Sequence, residues 1–490
     1  MASEAGALAL RGDAPRASRG RARAVARIAW IALSAYAAAD AYAAADEPTR
    51  ALAHLYFQAP LACVAALFLW GANVRAWTAM RLDPHPLVVF DGEPAADRDD
   101  GSDGSDGDGS DGPKPAGSKP AVVSSRRSFN AGAPPRERHM TPAQIRAVCF
   151  WCLAAALASL SLFLRSANEH RFAFAARFPA LLYAAAPVAL FAPTAGMYPR
   201  ARRALTRSLA RLVTPWRRRV AFADSFAADV ACSLAKSLSD VERAVCTMAA
   251  GAERVSRAAA FDEDGPCGSH SWRVPFALAL PSLIRLVQCL RAFADTRRKA
   301  HLWNALKYAS GFPVVFLSYA KYGVAHEAWI GTYRPAWIAC AVINAAYSYY
   351  WDVTKDWGLT LFSSSRPGGR RRRRAFDGDD DAARSEADGD EAGPSGPAPW
   401  GLRERRALLY GSPGWYYLAL VSNLLLRASW AYKLSSHLRH NLWTVGLMTA
   451  LEITRRFAWS MFRVEEAYRD VLDARARGEG GGKRTPLRGA

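Results

Sequence analysis

The chain carries no HExxH zinc-hydrolase signature and no GxSxG nucleophile elbow. It also lacks paired aspartates in two separate apolar segments with the surroundings of an intramembrane protease, so hydrolytic chemistry has no sequence anchor and an enzyme is not expected. Cysteine is scarce, eight in 490 residues. Cys63, Cys149, Cys152, Cys232, Cys289 and Cys340 lie in or beside apolar runs and only Cys267 sits clearly in a polar loop, so no disulfide framework is expected. The CFWC string at 149–152 has redox spacing but lies inside an apolar run with no His or Cys cluster, which favours a buried apolar role over zinc or redox chemistry. No metal and no cofactor are expected. The N-terminus lacks a compact apolar region followed by a small-residue cleavage site, which argues against a removable secretory signal. Its Arg/Ala/Ser composition would suit a plastid transit peptide, against which Glu4 and Asp13 count mildly.

What is abundant is apolar and basic. A chain that is 51% hydrophobic with a mean hydropathy of −0.08 could be a soluble protein of about three domains, but the distribution excludes it. Apolar residues gather into blocks long enough to cross a bilayer, and charges gather between them. The stretches 148–164 and 178–199 contain no formal charge. Ten spans are predicted, at 24–45, 52–80, 143–165, 175–198, 220–248, 274–291, 303–322, 329–351, 414–434 and 441–462, which makes the chain an all-α polytopic membrane protein. The first and fifth are the weakest, the fifth being interrupted by Asp224, Asp229, Lys236 and Asp240. The blocks are Ala-rich, which suits helices packed on one another around a polar interior.

The net charge of +20 raises nucleic acid as a partner, with the Arg370–Arg374 run as the place to look. Basic loops flanking spans are expected in any membrane protein, and this run is followed at once by an acidic segment, so no nucleic-acid partner is expected. Residues 200–219 contain eight Arg and no acid, and Arg297, Arg298 and Lys299 cluster between two spans. With these loops in the cytosol the span number is even and both termini are cytosolic; eight spans would pass the same test. Four segments read as disordered: 1–21, 91–140 with its Asp-Gly-Ser repeat, 364–399, and a tail over 467–490. They delimit helices one and two at 22–90, three to eight at 141–363, and nine and ten at 400–466. The repeat lacks the spaced ligands of a calcium loop and reads as a solvated linker.

Charges of both signs recur at membrane depth. Asp352 and Asp356 stand one helical turn apart, on one face of an α-helix. Asp229 sits in a weakly polar span, Arg427 in an apolar one, and Glu452, Arg455 and Arg456 within the last. An Arg at a span's centre costs roughly 2.5 to 3.5 kcal/mol on the lenient scale, so such a set marks a solute path better than an anchor. Glu452 stands three and four residues before Arg455 and Arg456 and is expected to orient them. Arg291, Arg463, Glu465 and Glu466, near the cytosolic edge, are read as locking helices together.

Five ordered strings carry a resemblance: QCLRAFADT at 288–296, HLWNALKY at 301–308, WDVTKDWGL at 351–359, LLRASW at 425–430 and EITRRFAWSMFRVEE at 452–466. With FADSFAAD at 222–229 and LWGANVRAW at 69–77, they resemble the EXS-domain family of eukaryotic phosphate exporters and a related yeast Golgi protein. The resemblance implies a ten-span helical fold and channel-like movement of inorganic phosphate. Carried over, Asp229, Lys307, Tyr308, Asp352, Asp356, Arg427, Arg455 and Arg456 match the family's phosphate pathway, and Trp430 its aromatic gate. Trp430, three residues after Arg427, would lie on nearly the same helix face. Cys232 departs from the amide side chain of the exporters and loses one hydrogen-bonding partner.

About two dozen polar residues precede the first span, so direct control by the SPX domain of many exporters is not expected. The short form resembles the Golgi branch, which puts Golgi membrane first as location and leaves plasma membrane and plastid envelope as alternatives. The partners are then phosphate and the lipid bilayer, with a homodimer left open. The rival function is a non-transporting Golgi scaffold that retains glycosylation enzymes.

Overall fold

The computed structural model describes residues 25–80, 140–191, 198–250, 267–268, 270–362, 401–402, 408–434 and 441–476, all in helices and turns with no strand among them. The segments expected to be disordered at 1–21, 91–140 and 364–399 lie outside the described residues, apart from Met140.

Each of the ten predicted segments holds helix within its described residues. The first is α1, residues 25–44. The second, α2 (Glu47–Ala79), starts where Asp46 accepts a hydrogen bond from the Thr49 amide at 3.0 Å. Next is α3 (Pro142–Asn168), opened by a capping box in which Thr141 and Gln144 satisfy each other's backbone amides. The fourth is α4 (Phe172–Phe191). Then come α6 (Phe222–Ser233) continuing into α7 (Ala235–Ala249), α8 (Arg273–Thr296), α9 (Lys299–Ala309) continuing into α10 (Gly311–Ala320), α11 (Arg334–Trp351), α12 (Pro413–Arg427) and α13 (Leu442–Ala476). The last helix runs past residue 466, where the tail was placed, and residues 477–490 lie outside the described set.

One helix was not foreseen. Residues 199–213, read as a charged loop, form α5 (Pro199–Val213), with Leu205, Leu209 and Val213 exposed at four-residue spacing among its arginines. A helix of that pattern suits the membrane surface. Its Arg211 donates to Asp224 at the start of α6 at 2.8 Å.

Among the described residues four helices are long and apolar enough to cross a membrane: α2, α3, α4 and α8. The protein is a multi-pass membrane protein on that ground. The other described helices are shorter or less apolar.

Helix α2 packs on α3, α7 and α13 and so joins two regions. On one side Tyr56, Phe57, Phe163 and Leu164 form a core closed by Ala41, Ala45, Ala53, Ala167, Ala175 and Ala244. Small residues let the backbones approach: a Cβ at Gly71 of α2 would stand 3.0 Å from Ile145 Cγ2 of α3. On the other side α6, α8, α9, α11, α12 and α13 form a bundle, capped at one end by Trp77, Phe226, Trp357, Tyr416, Trp459 and Phe462. Asn73 of α2 donates to Phe457 O at 2.9 Å and Ser460 Oγ at 2.7 Å of α13, riveting the two regions together.

The cysteine expectation needs correcting. Cys246 at the end of α7 is disulfide-bonded to Cys267, with Cα atoms 5.6 Å apart, while the remaining six are free. Cys246 was not singled out because it closes an amphipathic helix. Its partner lies in the next loop, which only the packing of α7 against α8 brings back to it.

Candidate functional site

Helix interruptions and buried charges coincide in the second region. α6 ends at Ser233 and α7 begins at Ala235, beside Asp229 and Cys232. α9 ends at Ala309, beside Lys307 and Tyr308, because Pro313 lacks the amide that would continue the ladder. Ser310 in the gap donates to Lys307 O at 2.8 Å and accepts from Asn344 at 2.9 Å, which ties the break to α11. α11 widens into a π-turn over Asp352–Asp356, closed by Trp357 N to Asp352 O at 2.9 Å. α12 stops at Arg427, and a 3-10 turn, Ser429–Leu434, follows. Irregular backbone at membrane depth is tolerated where it is buried in protein or lines a polar cavity.

The sequence-predicted residues fall into two linked groups. In the first, Arg285 Nε donates to Asp229 Oδ1 at 2.9 Å, and the Tyr308 hydroxyl donates to the same oxygen. Arg285 also donates to Gln288 at 2.8 Å, and its guanidinium lies 4.9 Å from the Tyr308 ring centre. In the second, Asp352 Oδ2 accepts from Arg427 Nε and Nη2 at 3.0 and 2.7 Å and from Asn423 at 3.0 Å. Arg455 Nη1 stands 3.6 Å from that oxygen and donates to Asn423 Oδ1 at 3.1 Å.

Glu452 grips Arg455 with both oxygens, at 2.8 and 2.6 Å. It reaches Arg456 only through Ser233, which donates to Glu452 at 2.7 Å and accepts from Arg456 Nε at 2.9 Å. Asp356 accepts from the Trp459 indole at 3.1 Å and has Arg463 Nε at 3.8 Å.

Lys307, 7% exposed, makes neither a hydrogen bond nor an ion pair within 4 Å among the described residues; its ammonium faces the Tyr308 and Trp351 rings at 4.5 and 5.4 Å. Arg456, equally buried, lies 4.3 Å from the Trp459 ring centre and has no carboxylate within ion-pair distance among the described residues. Arg285, Lys307, Arg427, Arg455, Arg456 and Arg463 face Asp229, Asp352, Asp356 and Glu452, which leaves two positive charges in excess. A surplus of cations held by rings and hydroxyls is suited to a small multivalent anion.

Two geometric expectations change. Asp352 and Asp356 both face α13, but across a π-turn rather than an α-turn. Trp430 does not share a helix face with Arg427, because the helix ends between them; its ring meets Trp337 edge-on at 5.6 Å. Of the residues set aside as structural, Glu465 binds the Tyr416 hydroxyl at 2.7 Å and the Leu409 amide at 3.1 Å, whereas Arg463 points toward Asp356. Arg285, Gln288, Asn423 and Ser233 were missed. Arg285 and Asn423 stand in mid-span as Arg427 does, which is the signal that could have found them. Among the described residues no group of three or more His, Cys, Asp or Glu could hold a metal ion.

Comparison with known proteins bears on this arrangement. The EXS family profile matches residues 53–468. The chain is 29% identical over 249 residues to "SPX and EXS domain-containing protein 1" of Dictyostelium discoideum, covering 50% of this chain and 22% of that protein. It is 30% identical over 301 residues to "Xenotropic and polytropic retrovirus receptor 1 homolog" of Danio rerio, covering 59% and 38%. Against "Solute carrier family 53 member 1" of Homo sapiens it is 27% identical over 304 residues, covering 59% and 39%. The matched region is thus well under half the length of these relatives. A profile match that takes in all the buried charges described above, on an all-helical membrane architecture, places the chain in the EXS family.

Proposed function

We propose that the protein moves inorganic phosphate across a membrane along the polar interior of the second region, lined by Asp229, Lys307, Tyr308, Asp352, Asp356, Arg427, Arg455 and Arg456. The observation that carries this is the pair of buried cations, Lys307 and Arg456, left without a carboxylate in an otherwise neutralised array. Phosphate at neutral pH carries one to two negative charges and offers oxygens that a guanidinium and an ammonium can share. The four carboxylates keep the path from holding the anion too tightly to release it. Trp430 against Trp337 forms the gate, and Glu452 orients Arg455. Acid-base or nucleophilic chemistry is not part of this function.

Ten spans with both termini in the cytosol agree with the disulfide. In that topology α7 ends on the non-cytosolic side, where an oxidising compartment sustains the Cys246–Cys267 bond, and the Arg-rich α5 lies on the cytosolic side. The bond also favours a membrane of the secretory route, with the Golgi foremost, over a plastid envelope.

Purified full chain in liposomes, loaded with radiolabelled phosphate, is expected to release it. Folded, inserted protein that is impermeant in both directions would reject transport and leave the scaffold role.

A further inference from the structure

Among the described residues several buried polar atoms lack a protein partner, and one of them stands beside this path. Asn304, on α9 one turn before Lys307, is 3% exposed, and its Oδ1 accepts no hydrogen bond among the described residues. The side chain lines a narrow cavity with Ser225, Asp229, Arg285, Asp356 and Arg463, and Lys355 is at its edge. Arg285 and Arg463 in that lining carry donors suited to the bare oxygens of an anion. An orphaned acceptor needs a hydrogen, and an anion that carries none would be pressed against it oxygen to oxygen.

We propose that Asn304 is the residue by which this cavity distinguishes protonated tetrahedral oxyanions from unprotonated ones, its Oδ1 accepting a hydrogen bond from a P–OH group. The proposal rests on the phosphate reading above and adds its selectivity. Phosphate and arsenate keep at least one hydroxyl at neutral pH, whereas sulfate has none. A site that hydrogen-bonds a ligand hydroxyl rejects an analogue lacking it, because its buried polar group is then left unpaired. Asp356 supports the same preference, since its nearest Arg463 nitrogen stays at 3.8 Å and that oxygen retains acceptor capacity.

The test measures radiolabelled phosphate and sulfate flux separately, with arsenate as competitor, in liposomes bearing wild type, Asn304→Leu or Asn304→Asp at equal folded amounts. Leu is near in size and removes the acceptor; Asp keeps the acceptor and removes the donor. Wild type is expected to pass phosphate, be inhibited by arsenate and pass sulfate at least ten-fold less. Asn304→Leu is expected to lower the phosphate-to-sulfate ratio roughly ten-fold, and Asn304→Asp to keep it. Wild-type protein that passes both anions equally would overturn the proposal while leaving transport intact, and protein that passes neither would reject transport itself. An unchanged ratio in Asn304→Leu, or a ratio that collapses in Asn304→Asp, would also overturn it. Should Asn304→Leu fail to fold, the wild-type ratio and the Asp variant decide the matter.

Discussion

Phe163 and Arg455 are about equally buried, 2% and 5% exposed, yet the regions around them are built differently. Around Phe163 the helices α2 and α3 are unbroken, and the contacts are rings at 5.6 and 5.8 Å and alanine methyls. Around Arg455 the partners come from segments that stop, widen or restart. Regular helices satisfy their own backbone and can pack through apolar atoms alone, which makes a rigid frame. Buried charges need partners at fixed distances, and broken helices supply them by turning side chains and backbone groups inward. The first region therefore reads as scaffold and the second as machinery, and substitutions can test that division.

The largest effect is expected in the second region. Arg456→Ala removes a cation with no carboxylate partner, so phosphate flux in liposomes should fall by at least about ten-fold, the equivalent of roughly 1.4 kcal/mol in barrier, with little change in melting. Unchanged flux would break the comparison outright. The converse holds for Phe163→Ala, expected to cost about 3 to 5 kcal/mol of stability by thermal melting while flux per folded molecule stays as before. Flux lost without any loss of folded protein would show that the scaffold carries function.

Replacing Cys246 with Ser frees a loop closed over a 21-residue separation. A cost of about 3 kcal/mol is expected, together with labelling of the freed Cys267 by an impermeant thiol reagent from the non-cytosolic side only. Labelling from the cytosolic side would invert the proposed topology. Trp430→Ala should change flux a few-fold with little change in melting, because Trp430 is only partly buried. A large melting loss with proportional flux loss would make it a packing residue. The smallest effect is expected from deleting residues 364–399: flux within about two-fold, near 0.4 kcal/mol. Complete loss would assign the Arg370–Arg374 run a part in guiding the anion.

Much of the architecture was legible because its signals are local. Hydropathy marked where helices lie, and charges in apolar surroundings marked most of the buried array. Arg285 and Asn423 carried the same mid-span signal, but their role rests on partners 56 and 32 residues away in the chain that only the fold brings to them.

The sequence by itself determined the helical class, the placement of ten apolar segments and the mixed charge within the last ones, since these depend on residue type over a turn or two of chain. Only the tertiary structure decided the pairings: Asp352 with Arg427, Asp229 with Arg285, and Ser233 between Glu452 and Arg456. It also decided the gap at Leu234, where neither proline nor glycine marks a break. These partners lie far apart along the chain and meet because helices cross at particular heights and rotations. That packing is set by the sum of many small contacts, and no single stretch of sequence encodes it.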